Sequence, residues 1–194
     1  MKLTPEMVLN GYCQGIFPMA EADGSLYWYD PDPRAILPLD ALHIPRSLGR
    51  RLRKKDFEIR FNSAFGRVIR KCAELGPGRE ETWISDDIIE SFSLLHESGF
   101  AHSVETWMEG ELVGGLYGVS VGGFFAGESM FSRQTDASKI ALVALVERLR
   151  RREFGVLDVQ FTTQHLSRFG VREIPRKAYK SLLKKALEIE TGFP

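Results

Sequence analysis

Apolar residues recur along this chain in two rhythms. Up to about residue 100 they return every third or fourth position, and from Ala101 onward every second position or in unbroken runs. The first rhythm predicts helices, the second strands. Thr4 before Pro5, then Glu6 to Gly15, has an N-cap, a proline at the first helical position and a closing glycine, so it reads as a short helix. Residues 17 to 38 carry Pro18, Pro31, Pro33 and Pro38 around Tyr27-Trp28-Tyr29 and read as irregular or edge-strand structure, a joint between a small N-terminal unit and the rest. Asn62 is the expected cap of a helix whose Phe65, Val68, Ile69 and Cys72 share one face; Arg67, Arg70 and Lys71 lie on the other, and Pro77 and Gly78 end it. Ser85 caps the next helix, with Asp86 and Asp87 near its positive pole, a stripe of Ile88, Ile89, Phe92 and Leu95, and Gly99 as its stop.

Beyond Ala101 the spacing predicts strands over 101–108, 112–120 and 124–130, joined at Glu109-Gly110-Glu111 and Gly122-Gly123 into an antiparallel meander. Asp136 opens a long helix to about Glu153, apolar through Ile140, Leu142, Val143, Leu145, Val146 and Leu149. Gly155 releases the chain into a strand over 156–161, and residues 175–190 predict a last helix. A helix between the strands 124–130 and 156–161 allows them to lie parallel. A meander, a long helix and then a parallel strand is the order of the acetyltransferase-like (GNAT) fold, an α+β mixed sheet with flanking helices. In that fold the two parallel strands splay, and the gap between them is the acyl-transfer site. The expected division is 1–34, a small truncated N-terminal domain and joint, and 35–194, the catalytic domain.

Both strands at that gap break a rule. A strand buried on both faces should be almost wholly apolar, yet Glu128 stands in Gly127-Glu128-Ser129-Met130-Phe131, and Asp158 and Gln160 stand in Leu157-Asp158-Val159-Gln160-Phe161. An unpartnered buried carboxylate costs several kcal/mol, so such positions point to function. Asp158 and Gln160, two apart, should leave one face of the strand, with Leu157, Val159 and Phe161 directed into the core. A carboxylate beside an amide can pass hydrogen bonds to an incoming amine. For Glu128 two readings stand: a holder of an α-ammonium group, or an ion pair with an arginine such as Arg133.

Composition narrows the classes. Of the 194 residues 43% are hydrophobic and 27% charged, which fits a folded globular protein. No run is long and apolar enough to span a membrane, and the first residues have no signal-peptide core. Cys13 and Cys72 have no CxxC spacing and suit reduced thiols in the cytoplasm. The formal net charge is +0, yet basic residues cluster at Arg46 to Lys55, Arg148 to Arg152 and Arg176 to Lys185. Each cluster can be a solvated helix face; together they allow a phosphate-bearing partner. Gly127-Glu128-Ser129 lacks the final glycine of a nucleophile elbow. His43, His96, His102 and His165 have no zinc spacing, so no metal is expected. The glycines between 114 and 123 lack dinucleotide order, and the segment before Asp136 lacks the glycines that cradle the pyrophosphate of coenzyme A. Trp28, Trp83, Phe92, Trp107, Tyr117, Phe124 and Phe125 serve mainly as core, a few being free to line a pocket or stack on a base.

The sequence resembles the leucyl/phenylalanyl-tRNA–protein transferases over nearly its whole length. The stretches that carry the likeness are Gly15-Ile16-Phe17-Pro18, Trp28 with Asp30-Pro31-Asp32-Pro33-Arg34, Thr82-Trp83-Ile84, His102-Ser103-Val104-Glu105, Leu112 to Gly118, Gly127 to Ser132, Ala137-Ser138-Lys139 and Glu173-Ile174-Pro175-Arg176. The resemblance implies a cytoplasmic monomer without cofactor that moves Leu, Phe or Met from aminoacyl-tRNA to proteins with an N-terminal Arg or Lys, marking them for N-degron proteolysis. Carried over by motif, Asp158 and Gln160 form a catalytic relay, and Glu128, Ser129, Met130, Leu145, Trp83 and Phe125 surround the aminoacyl group and the terminal adenosine. Arg50, Arg51, Lys54 and Lys55 are expected to hold tRNA phosphates. Met19, Phe92 and Leu145 depart from the Trp, Tyr and Phe that members can carry there. Two other readings stay open: a coenzyme-A-dependent N-acetyltransferase of the same fold, and a non-catalytic tRNA-binding module with salt-sensitive affinity but no transfer.

Overall fold

The structure, a computed structural model, describes residues 2–21, 23–75 and 81–194. Helix α1 (Pro5–Gln14) starts where the Thr4 side chain accepts the Met7 amide and ends at Gly15, whose φ of 82° closes it. Strands β1 (Phe17–Ala20) and β2 (Leu26–Tyr29) form a separate antiparallel pair. Besides two short 3-10 turns (Leu39–Ala41 and Leu166–Phe169), the chain forms α2 (Arg46–Arg53), α3 (Phe65–Ala73), α4 (Asp86–Glu97), α5 (Ala137–Arg151) and α6 (Arg176–Leu187), and the strands β3 (Arg34–Ile36), β4 (Glu58–Phe61), β5 (Ala101–Met108), β6 (Glu111–Val121), β7 (Phe124–Ser132), β8 (Val156–Gln160) and β9 (Arg172–Ile174). These strands build one seven-stranded mixed sheet in the order β4-β5-β6-β7-β8-β3-β9. The meander, the long helix and the parallel β7–β8 pair stand as the hydrophobic pattern predicts.

Helices cover both faces, which is why β5 is buried almost end to end. One layer joins α1, α3, α4 and α6 through Val8, Tyr12, Val68, Ile88, Phe92 and Tyr179 against Tyr117, Phe124 and Ala126. The other is led by α5, whose Ile140, Leu142, Leu145 and Val146 meet Leu116, Phe125, Leu157 and Val159.

Two expectations are corrected. Asn62 does not cap α3. Its own φ is 57° and its side chain accepts the Ser103 amide, while the amides of Ser63 and Ala64 donate to the buried carboxylate of Glu105 on β5. A charge from a neighbouring strand therefore serves the positive end of this helix, and no local pattern announces it. The expected stop at Pro77 and Gly78 lies outside the described residues. Phe161 does not enter the core either: it is 44% exposed, because β8 ends at Gln160 in a left-handed turn and the next residue swings away.

Two irregularities place the site. The parallel β7–β8 pairing stops at Ala126↔Asp158, although β7 continues to Ser132. And β7 bulges against β6: Tyr117 faces Ser129 and Gly118 faces Gly127, so Glu128 is the extra residue with no opposite number. The bulge needs a glycine, since a Cβ at Gly118 would lie 2.2 Å from the Ala126 carbonyl oxygen. Gly118→Ala is expected to lose about 1–3 kcal/mol through overpacking, read as a lower urea midpoint at unchanged slope. An unchanged midpoint would mean that the bulge tolerates a side chain.

Candidate active site

Where β7 and β8 part, the fold leaves a cavity of about 820 Å³. Leu116, Met130, Leu142, Leu145, Leu157 and Val159 supply apolar wall; Phe17, Met19, Trp83 and Phe161 also line it, and Glu128, Ser129 and Gln160 are polar groups within it. Arg133, Asp136, Lys139 and His165 add charge and a further polar ring to the lining. Mostly greasy walls with few polar groups are what a pocket for an apolar side chain requires.

The bulge turns Glu128 into this space. Its Oε1 atom is buried and has no hydrogen-bond partner among the described residues. The ion pair with Arg133 does not form, because Arg133 lies 3.5 Å from Glu74 instead. Burial pushes the Glu128 carboxyl up to about 8; the Tyr12 hydroxyl opposes the rise without reaching hydrogen-bond geometry, Asp158 adds to it and Arg34 counters. Burial thus favours the protonated form of this carboxyl, and a cation placed beside it would favour the carboxylate.

Gln160 faces the cavity from the other strand. Its φ of 59° is a conformation that side-chain-bearing residues rarely adopt, and such strain gathers at functional positions. The side-chain Nε2 is buried and unpartnered. Glu128, Gln160 and His165 all line the cavity, and each carries one buried side-chain atom without a hydrogen-bond partner among the described residues; natural cores rarely leave such atoms unpaired, so their gathering here marks a place prepared for a ligand.

Asp158 sits behind this pair rather than in the cavity, fully buried on the α1/α6 side of the sheet. Its Oδ1 accepts Arg34 Nε at 2.9 Å and the main-chain amide of Gln160 at 3.0 Å; its Oδ2 accepts Arg34 Nη2 at 2.6 Å and the Tyr179 hydroxyl at 2.8 Å. Asp158 therefore reaches Gln160 through the main-chain N–H rather than through the side-chain amide. Burial opposes the Arg34 charge, but the hydrogen bonds and charge of Asp158 outweigh it and the guanidinium is held more firmly protonated than usual. Burial, then Asp158, raises the Tyr179 hydroxyl well above its ordinary range.

Of the other expected site residues, Trp83, Ser129, Met130 and Leu145 line the cavity. Phe125 does not. It is fully buried on the α5 side, with ring centroids 5.3 Å from Phe193 and 6.5 Å from Phe154. Arg50, Arg51, Lys54 and Lys55 lie on and just after α2, apart from the cavity lining; Arg51 pairs with Asp56 and covers the Phe57 ring, leaving the other three exposed. Met19 lines the cavity and Phe92 is core. Sequence reasoning missed Tyr12, Arg34 and Tyr179. The only hint was bookkeeping by charge: a buried Asp158 demands a cation, and Arg34 stood unassigned in a quoted motif.

Residues 36–184 match the family model described as leucyl/phenylalanyl-tRNA protein transferase, and residues 1–32 match the model of that family's N-terminal domain. The chain belongs to the leucyl/phenylalanyl-tRNA–protein transferase family. A protein of that name from Herpetosiphon aurantiacus is 58% identical over 193 residues, covering 99% of this chain and 98% of its own. One from Akkermansia muciniphila is 57% identical over 189 residues, 96% and 97% of the two chains. Among solved structures, L-PGS from Bacillus licheniformis aligns with a TM-score of 0.45 at 14% identity, over 78% of this chain and 51% of that one, a likeness too loose to argue from. Among the described residues no group of three His, Cys, Asp or Glu could hold a metal ion, and no helix is long and apolar enough to cross a membrane.

Proposed function

We propose that this chain moves leucine, phenylalanine or methionine from aminoacyl-tRNA to the α-amine of proteins beginning with Arg or Lys, tagging them for N-degron proteolysis, and that it works as a monomer. The observation that carries the reading is that Glu128 and Gln160, each with a buried polar atom lacking a partner among the described residues, line the apolar cavity between the parted strands. An aminoacyl ester is already activated. The amine nitrogen forms a bond to the ester carbonyl carbon, the bond from that carbon to the ribose oxygen breaks, and the oxygen leaves with a proton. The protein has to align the partners and keep the amine neutral. In this reading Gln160 orients the reacting groups with its free amide, Glu128 receives ammonium charge, and Asp158 acts by holding Gln160. Leu145, Met130 and Ser129 surround the transferred side chain, Trp83 offers a stacking face to the terminal adenosine, and Phe125 backs the wall from the core. Arg50, Arg51, Lys54 and Lys55 attract tRNA phosphates. Residues 1–34 act as a small N-terminal unit whose Phe17 and Met19 help to close the cavity over the domain formed by 35–194.

Acetyl transfer from coenzyme A fits less well. At the start of α5, where the helix pole would hold a pyrophosphate, Asp136 presents a carboxylate paired with Lys139, and the Ser138 amide is taken by Ser132 Oγ.

Purified protein should transfer labelled Leu, Phe and Met, and Val at least about tenfold more slowly, to Arg- and Lys-initiated peptides in preference to Glu-initiated ones. Failure with all donors would end the reading. Leu145→Trp, which fills the cavity, should slow Phe transfer about tenfold more than Leu transfer; equal slowing would remove Leu145 from the side-chain pocket.

A further inference from the structure

An arginine with no solvent exposure, tied to an aspartate that itself cannot reach the substrate cavity, calls for an explanation. Replacing such a pair by well-packed apolar residues is often neutral or stabilising, so stability alone does not account for it. Arg34 is held on every side. Nε and Nη2 grip both oxygens of Asp158, Nη1 donates to the Gly15 carbonyl oxygen at 3.0 Å, and the guanidinium carbon lies 4.7 Å from the Phe17 ring centroid and 4.5 Å from that of Tyr179. Two-point grip fixes direction as well as distance. With Tyr179 and the Gln160 amide the carboxylate of Asp158 has four donors, which occupies its lone pairs. Asp158 therefore has none to offer an attacking amine.

One of those four bonds reaches the cavity. The Gln160 main-chain amide, fixed to Asp158 Oδ1, sits at the left-handed residue where β8 ends and whose side chain lines the cavity. Turning the Asp158 carboxylate would release that amide and let Gln160 relax to an ordinary backbone conformation. We infer that Arg34 is a positioning residue for aminoacyl transfer: by locking the Asp158 carboxylate through a two-point grip, it holds Gln160 in the strained turn that aims its amide at the substrate. Tyr179 secures the second oxygen. The consequence is that the segment after α1 is part of the reaction machinery, because Gly15 and Phe17 hold Arg34 and Phe17 also lines the cavity. The inference rests on the transfer reading for its kinetics but not for its geometry.

The test uses full-length Arg34→Lys, which keeps the charge and loses the fork, and Tyr179→Phe, which loses one donor. In protein labelled with ¹⁵N-glutamine, the Gln160 amide should exchange with solvent at least about tenfold faster in Arg34→Lys than in wild type, while Gln14, Gln134 and Gln164 exchange as before. In transfer assays normalised to folded protein, Arg34→Lys should lower kcat by about 30- to 100-fold with KM for aminoacyl-tRNA within twofold, and Tyr179→Phe should lower kcat by about three- to tenfold. Wild-type exchange at Gln160, or a kcat per folded molecule within twofold of wild type, overturns the inference, as does a loss confined to KM. If Arg34→Lys does not fold, the same two readouts are taken on Tyr179→Phe, where unchanged exchange and unchanged kcat are the overturning result. Should wild type transfer nothing while Gln160 still loses protection in the variants, the transfer reading fails and the positioning geometry stands.

Discussion

Asp158→Ala is expected to lose about 3–5 kcal/mol of folding stability and all measurable transfer. The residue makes no contact with the cavity, so the loss begins with Arg34: a fully buried guanidinium would keep its charge and lose the carboxylate that receives two of its donors. Tyr179 would lose its acceptor and Gln160 the bond that fixes its amide. For a chain of this size the melting temperature should fall on the order of 10 °C. The more informative variant removes both charges. Arg34→Met with Asp158→Leu leaves no orphaned ion and should regain about 2 kcal/mol over Asp158→Ala. It should still transfer nothing, because nothing then holds Gln160. Chemical denaturation of the two variants beside a transfer assay checks both halves; a stable double variant with wild-type activity would show the pair to be dispensable scaffolding.

Glu128→Gln is expected to separate from wild type only as pH rises. Burial pushes the folded carboxyl up to about 8 from an ordinary 4.5, so between those values the unfolded chain is expected to be ionised while the folded one holds its proton. The folded state then binds more protons, and its stability falls as pH climbs through that window. The neutral amide escapes this penalty. Urea titrations should give matching stabilities at pH 4 and a more stable Glu128→Gln at pH 9, by an amount on the order of a few kcal/mol. Activity should move the other way. Wild-type kcat/KM, which reports the free enzyme, should rise with pH to a midpoint of about 8 as the carboxylate forms, and the midpoint of kcat should lie lower because bound ammonium favours the carboxylate. Glu128→Gln should be flat over that range and slower by roughly 10–100-fold, the scale of a lost acid–base or charge-assisted contact. A wild-type stability curve without slope between pH 5 and 8 would mean that Glu128 is solvated and not poised.

The meander, α5 and β8 were legible because each obeys one period for long enough to be counted, and because helices on both sides bury them. The same clarity exposed Glu128, Asp158 and Gln160 as violations inside apolar strands. Strands β4 and β9 escaped notice because they are short and half-exposed, with no clean alternation. What the sequence hid was relation. The bulge at Glu128 is a difference in count between two strands, invisible in either one. The cap of α3 comes from Glu105, about forty residues on from Ser63 and Ala64. Arg34 lies 124 residues from Asp158, in a run of Asp and Pro that reads as an irregular joint. The direction of Phe161 was misread because alternation assumes an extended backbone, and Gln160 has a φ of 59°.

The central claim is that Gln160 and Glu128, looking into the gap between β7 and β8, are where an aminoacyl group meets an amine. Single-turnover transfer of labelled leucine from Leu-tRNA to an Arg-initiated peptide, by wild type and by Gln160→Ala at saturating enzyme, tests it most directly. Wild type should transfer rapidly, with the rate constant at least about 100-fold lower in Gln160→Ala and tRNA affinity unchanged within twofold. A Gln160→Ala rate within threefold of wild type would place the chemistry elsewhere.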